Sequence, residues 1–409
     1  MTRFAWWKDA SPDARRALLA ASFGWMLDSF DVMLYAMVLA ALMSDLGLTK
    51  ATAGLLGSLT LVASAVGGLV FGLIADRFGR RRALMASIAI YSIFTAACGF
   101  ATGVIMLAVF RIFLGLGMGG EWASGASLVS ETWPAEHRGK ALGIVQSSWA
   151  VGYAAAAAVA ALVLPLWGWR GVFFVGVLPA FFTLWIQKKV REPELWKKAR
   201  AASAGVRAGF GEIFGPKRIR LTVFVTLMNA CTMFGWWGFN LWLPAYLSMP
   251  ASEGGIGLGP RSMSVLVIFM QVGMWLGYIT FGFISDRLGR KRSYVGFLVA
   301  AAAFMLLYSQ ARQPLILFAL GPFVAFFGTG YFTGFGALTA EIYPTSVRAT
   351  AQGFTYNAGR IVSAAAPLAV GSLAGTRGFP FAFVVIAAAF ITAAILWIGI
   401  PETKGKTLE

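Results

Sequence analysis

A chain of 409 residues that is 58% apolar and only 12% charged, with a mean hydropathy of +0.73, is not an ordinary soluble domain, in which about a quarter of the residues are charged. Its net charge of +17 would suit a nucleic-acid partner, but all but two of the 34 Lys and Arg lie between or beyond the apolar segments, which makes the charge a matter of topology. Cys98 and Cys231 fall inside apolar segments and there is one histidine, so no disulfide framework, Cys/His metal site, P-loop or nucleophile triad is indicated; an enzyme or a cofactor is not expected.

The N-terminal stretch MTRFAWWKDASPDARR has no cleavable-signal pattern and leads into a first apolar span over 17–43, which contains Asp28 and Asp31. Further spans follow over 52–75, 83–101, 104–130 (with Arg111 and Glu121), 141–166 and 171–187. A basic stretch precedes a second series over 221–248, 262–285, 294–310, 314–341, 350–374 (with Arg360) and 379–400. Each is long enough to cross a hydrocarbon core about 30 Å thick, and the 48 glycines and 15 tryptophans suit membrane helices and their interfaces. With the N-terminus in the cytoplasm, 27 of the 34 Lys and Arg fall in cytoplasmic segments; Lys50, Arg170, Arg261, Arg312 and Arg377 fall on the opposite side, and Arg111 and Arg360 in mid-span. That excess puts both termini in the cytoplasm. The expectation is an all-α, multi-pass protein of the cell membrane with twelve transmembrane helices in lipid, acting as a monomer without nucleic acid.

The spans are written twice. FGLIADRFGRRR (71–82) returns as FGFISDRLGRKR (281–292), an offset of 210. ETWPAEHRGKALG (131–143) aligns at the same offset with EIYPTSVRATAQG (341–353), and FGW at 23–25 recurs at 234–236. The reading is an N-terminal six-helix half, 1–187, a cytoplasmic basic linker, 188–219, and a C-terminal six-helix half, 220–409. Parallel six-helix repeats with a substrate site near mid-membrane describe one kind of secondary transporter.

Gly72-x-x-x-Asp76-Arg77-x-Gly79-Arg80 and its second copy resemble the signature of the major facilitator superfamily, and the resemblance spans the whole chain. It implies two pseudo-symmetric halves that rock about a central site, with charges at the cytoplasmic mouth that pair across the halves to close an inner gate. Here those would be Asp76, Arg77, Arg80, Glu131 and Arg138 in the first half and Asp286, Arg287, Arg290, Glu341 and Arg348 in the second. The alternative for these residues is a basic turn that only fixes topology.

Charges inside spans without a charge at the matching position are the better candidates for substrate and ion. Asp28, Asp31, Arg111, Glu121 and Arg360 qualify; their counterparts are Phe239, Trp242, Gly321, Tyr331 and Ala150. A charge at mid-bilayer costs at least about 2.5–3.5 kcal/mol, so each needs a partner or a watery cavity. At 1.5 Å per residue, Asp28 and Asp31 lie about 16 and 21 Å into the first span, and Arg111 about 10 Å from the outer end of the fourth, at a similar level. Asp28 and Asp31, three apart, share a helix face, where an arginine would hold one ionised and leave the other to carry a proton. RIFLGLGMGG (111–120) resembles the fourth-helix motif of transporters that pair such an arginine with a first-helix aspartate. A permanent structural ion pair is the alternative. Glu121 reads equally as a second proton site or as a packing partner beside glycines.

Arg360 lies about 15 Å into its span, with Tyr356 and Asn357 on the same face. A guanidinium fork binds a carboxylate bidentately, so Arg360 reads as the grip on an anionic substrate or as a salt bridge to an acid such as Asp31. DSFD (28–31), GMGGEWASG (117–125), QSSWAVGY (146–153, with Gln146 and Tyr153) and YNAGR (356–360) resemble proton symporters for sialate, lactate and pyruvate; nicotinate and aromatic-acid carriers share similar features. NACTMFGWWGFNLWLP (229–244) offers Asn229, Trp236, Trp237 and Asn240 as the wall for a small, partly apolar anion. The ending PETKG (401–405) resembles sugar porters, which keeps a sugar substrate open. The expectation is symport of a small organic monocarboxylate with a proton by alternating access; a sugar or metabolite symporter and a proton-driven exporter are the alternatives.

Overall fold

The computed structural model describes residues 7, 10–194, 213–216, 218–343 and 348–404. Most of the basic linker, and the side chains of Asp76, Arg138 and Arg348, lie outside what it describes. Among the described residues the chain is all helical. The elements are α1 Pro12–Leu46, α2 Lys50–Phe78, α3 Arg80–Cys98, α4 Val104–Thr132, α5 Ala135–Val175, α6 Leu178–Lys189, α7 Ile219–Ser248, α8 Pro260–Leu288, α9 Arg290–Gln310, α10 Pro314–Thr329, α11 Phe335–Ile342, α12 Arg348–Ser363, α13 Ala366–Thr376 and α14 Gly378–Leu396. Ten of the described helical stretches are long and apolar enough to cross a membrane.

By packing, the chain forms two compact units: Met1–Tyr35 with Leu59–Gly205, and Ala36–Ser58 with Val206–Glu409. The division by repeat and the division by packing differ at 36–58, where the end of α1 and the start of α2 pack on second-repeat helices. There, glycine lets α2 lie on α13 and α7: a Cβ on Gly54 would run into the Pro367 carbonyl, and one on Gly57 would sit 3.0 Å from Leu241. Lys50 Nζ donates to the Glu253 carbonyl at 2.7 Å.

Within the first unit, α2 and α4 cross backbone to backbone. A Cβ on Gly119 would strike the Ser64 carbonyl and come within 2.5 Å of the Gly68 nitrogen, and one on Gly67 would strike the Leu116 carbonyl. Small residues at this spacing let membrane helices approach closely, and the crossing sets the position of α4, the helix that carries Arg111 and Glu121. In the second unit, Gly277 of α8 plays the same part against α10, where a Cβ would sit 2.6 Å from the Phe326 carbonyl. Gly119→Val is expected to abolish most of the folded, monodisperse protein on size exclusion, because overpacking costs about 1–3 kcal/mol or more. Gly103→Ala, with open space around its Cβ, should be silent.

The turns after α2 and α8 are built alike. Gly79 and Gly289 adopt φ of 111° and 100°, a region that L side chains rarely enter, and each opens the next helix directly.

The second unit departs from the first in two places. Its fourth span is interrupted by a 3-10 segment, Gly330–Gly334, between α10 and α11. Its fifth, expected as one apolar run over 350–374, ends at Ser363 and restarts at Ala366 with Pro367 in the first turn. The proline supplies no N–H to bond back along the helix, which is why one helix becomes α12 and α13.

Candidate functional site

In the first unit, α1 is wedged in place at the level of its two acids. Trp25 lies between Trp122 of α4 and Trp149 of α5, with ring centroids 4.7 Å away in both cases. Ser29 Oγ donates to the Trp149 carbonyl at 2.8 Å, and Gly152 of α5 rests directly on the Met26 carbonyl. Asp28, Asp31 and Glu121 are each 1% exposed and Arg111 is fully buried.

Each charge has a distinct surrounding. Asp31 faces Ser92 and Thr95 of α3, but Thr95 donates its hydroxyl to the Tyr91 carbonyl at 2.8 Å. Neither Asp31 oxygen accepts a hydrogen bond among the described residues. Glu121 lies flat on Gly24, where a Cβ would come within 2.5 Å of its carboxylate, and it has Asp28 and Tyr91 for neighbours. The first-half FGW glycine therefore makes room for Glu121. The Arg111 guanidinium stacks on the Tyr35 ring, 3.7 Å from its centroid and one turn beyond Asp31 on α1. The contact the arginine makes here is with a ring that composition and spacing did not single out.

In the second unit, Arg360 occupies the last turn of α12 and is 4% exposed. Among the described residues its guanidinium has no hydrogen-bond or ion-pair partner. Rather than sitting mid-helix, as a continuous span would place it, it stands at a helix C-terminus, whose partial negative charge favours a cation. The freed backbone groups of the break are satisfied from elsewhere in the unit, as an apolar surrounding requires. Trp242 Nε1 donates to the Pro367 carbonyl at 2.9 Å, and the Leu368 N–H donates to Ser58 Oγ at 3.2 Å.

The other residues expected at the substrate site take up different roles. Tyr356 is half-buried and packs on Phe335, ring centroids 6.1 Å apart. Asn357 donates to the Gly353 carbonyl at 2.9 Å. Asn229 Nδ2 donates across to the Thr355 carbonyl at 3.2 Å, fitting over Gly359, so its amide nitrogen ties α7 to α12. Asn240 donates back along α7 to the Trp236 carbonyl at 3.0 Å. Trp236 meets Phe332 edge-on at 6.3 Å. Phe332 and Phe335 come from the 3-10 interruption and the turn after it, and nothing in the apolar run 314–341 distinguished them. Gln146 and Tyr153 lie on α5 of the first unit, the former half-buried and the latter fully buried.

Five of the ten expected gate residues form ion pairs, each inside its own unit. Arg80 pairs with Glu131 at 2.8 Å, and Arg290 pairs with Glu341 at 2.8 Å and with Asp286 at 2.5 Å. Arg77 and Arg287 are exposed. Two acids that motif reading passed over complete the arrangement. Glu192 accepts the Arg81 and Arg82 N–H groups at 3.2 and 3.4 Å; Glu402 accepts those of Arg290 and Lys291 at 2.8 and 3.1 Å. Glu192 and Glu402 share the offset of 210, which is the signal that could have found them. Each lies against its turn glycine: a Cβ on Gly289 would sit 2.6 Å from the Glu402 carboxylate. Thr403 Oγ1 adds a hydrogen bond to Glu341 at 2.6 Å.

Partial burial acts to raise the Glu402 carboxyl, but four backbone N–H donors, those of Lys404, Arg290, Lys291 and Thr403, outweigh it and hold the group below its ordinary 4.5. A depressed carboxyl contributes stability that is present above about pH 4.5 and lost as pH falls through its folded value. Glu402→Gln is accordingly expected to lower the melting temperature at neutral pH by only about 1–2 °C, since the group is solvent-exposed, and the gap should close in acid. A thermal-shift series over pH checks it.

A family model described as Major Facilitator Superfamily matches residues 21–254 and 247–409. The chain is 36% identical over 417 residues to a "Probable 4-methylmuconolactone transporter" of Cupriavidus pinatubonensis, covering 99% of this chain and 95% of that protein. It is 31% identical over 408 residues to the sialic acid transporter NanX of Escherichia coli, covering 98% and 97%. Among solved structures, a partially occluded inward-open form of the xylose transporter XylE of E. coli superposes with a TM-score of 0.79 at 20% identity, over 97% of this chain and all of that one.

Proposed function

The chain belongs to the major facilitator superfamily, and from that premise we propose that this membrane transporter carries a small organic monocarboxylate together with a proton. The observation that carries the reading is Arg360: a guanidinium 4% exposed, at the end of a broken helix, with no partner of its own among the described residues. A buried arginine left without a counter-charge is costly, and a substrate carboxylate is the group that its fork fits. Two ring pairs of the same unit, Trp236 with Phe332 and Phe335 with Tyr356, the last one turn before Arg360 on α12, suit a substrate whose remaining surface is flat and apolar. That NanX is named for sialic acid supports an organic acid. The protein is a multi-pass transporter of the cell membrane and not an enzyme.

On the same reading the membrane is crossed twelve times with both termini in the cytoplasm. Of the ten candidate spans, the one over Gly139–Lys189 is 51 residues long and is broken at Gly168, which leaves the helical region. That length serves two crossings. α3 falls short on composition alone, because it opens on three arginines.

The proton is assigned to the Asp28, Asp31, Glu121 and Arg111 group. Three buried carboxyl groups set against one guanidinium are not all ionised at acceptable cost. A neutral package of carboxylate plus proton would then cross by alternating access, driven by the pH gradient. The sugar alternative rested on PETKG; Glu402 in that ending caps α9 just as Glu192 caps α3, which is a scaffold role and says nothing about substrate.

Proteoliposomes with an internal pH dye test the reading. Lactate, pyruvate, nicotinate, benzoate-type acids, sialate and hexoses are added singly. Acidification on one acid, lost in Arg360→Ala, is the expected result. Silence on every acid together with a response to a sugar would overturn it.

A further inference from the structure

Among the described residues of the first unit, Arg111 is a fully buried cation on the helix that also carries Glu121, and what it rests on is a ring. The groups that face this level are Asp28, Asp31 and Tyr35 from α1, Tyr91 and Cys98 from α3, and Glu121 from α4 itself. α5, which packs on α1 through Gly152, brings Tyr153. α2 has no titratable residue between Lys50 and Asp76. Tyr35 is fully buried, four residues after Asp31 on the same helix face, and the guanidinium lies over its ring at 3.7 Å. No ion pair reaches Asp31, whose two oxygens have no hydrogen-bond partner among the described residues.

A planar guanidinium stacked on a buried aromatic face is held both electrostatically and by shape. One helical turn is about 5.4 Å, within the swing of an arginine side chain. The Asp31 carboxylate, one turn back on the same face of α1, is therefore within reach of the guanidinium that now lies on the Tyr35 ring. We propose that Tyr35 is a positioning residue for Arg111, holding the guanidinium one turn beyond Asp31 and so setting how readily the acid pair of α1 takes and releases its proton. The proposal rests on the proton-coupled reading for its place in transport, but not for its test.

In purified protein, the carboxylic-acid C=O band of the buried acids is titrated by infrared difference spectroscopy, with Asp31→Asn assigning the Asp31 contribution. Tyr35→Phe keeps the ring and should leave the midpoint where it is. Tyr35→Leu and Tyr35→Met remove the ring, free Arg111 to approach Asp31, and should shift the midpoint to lower pH by about one unit. Two ring-removing variants guard against one failing to fold, as judged by size exclusion. An unchanged midpoint in the folded ring-less variant overturns the proposal, as does an equal shift in Tyr35→Phe. Proton-coupled uptake is then measured on the same proteins. A wild type that moves no proton with any acid defeats the transport reading alone, since the infrared titration stands by itself. A merely structural tyrosine would lower stability without moving the midpoint.

Discussion

Arg360→Lys is expected to raise the KM for the transported acid about ten- to a hundredfold while leaving the folded yield close to wild type. Lysine keeps the positive charge in the last turn of α12, where the helix C-terminus still favours it. What it loses is the planar fork, two parallel hydrogen bonds to one carboxylate, and a charge-assisted bond of that kind is worth about 1.5–3 kcal/mol. Stability should hold because no described side chain depends on the guanidinium for its own hydrogen bond. Arg360→Ala should lose uptake outright. Initial-rate kinetics in proteoliposomes separate KM from kcat; a lysine variant with unaltered KM would remove the carboxylate from Arg360 and with it the substrate class.

The second large effect is expected at Asp31. Asparagine has nearly the same shape, and among the described residues neither Asp31 oxygen has an ion pair or hydrogen bond to be broken. Asp31→Asn should therefore fold normally but be unable to exchange a proton at that position. One proton per substrate lets a gradient of one pH unit sustain about tenfold accumulation. The variant should equilibrate its substrate, with an accumulation ratio near one, and still exchange labelled for unlabelled acid. Uphill accumulation that survives in Asp31→Asn would move the coupling to Asp28 or Glu121.

The contrast between these positions and the ones that spacing missed is instructive. Arg360, Asp31 and Glu121 stood out because a charge in an apolar run is anomalous wherever the run folds. Tyr35, Phe332 and Phe335 did not, since an aromatic residue in such a run is ordinary, and only the neighbour it meets gives it a role. Asn229 shows the converse: an amide that reads as a substrate contact has its nitrogen engaged in holding α7 to α12. Glu192 and Glu402 lay in plain view at the offset of 210, yet their work is on backbone N–H groups more than 100 residues away in sequence.

Apolar run length, the placement of Lys and Arg, and a motif pair repeated at one offset were enough to establish an all-helical membrane chain and its superfamily. These follow from local and additive physics: the transfer of each residue into hydrocarbon, and the period of a helix. Tertiary structure alone decided that residues 36–58 of the first repeat pack with the second unit, that the helix bearing Arg360 ends three residues after it, and that Arg111 lies on Tyr35. Those outcomes depend on which backbones can approach closely enough to touch. That is settled where glycines such as Gly54, Gly119 and Gly359 meet helices distant in the chain, and no window along the sequence contains both partners.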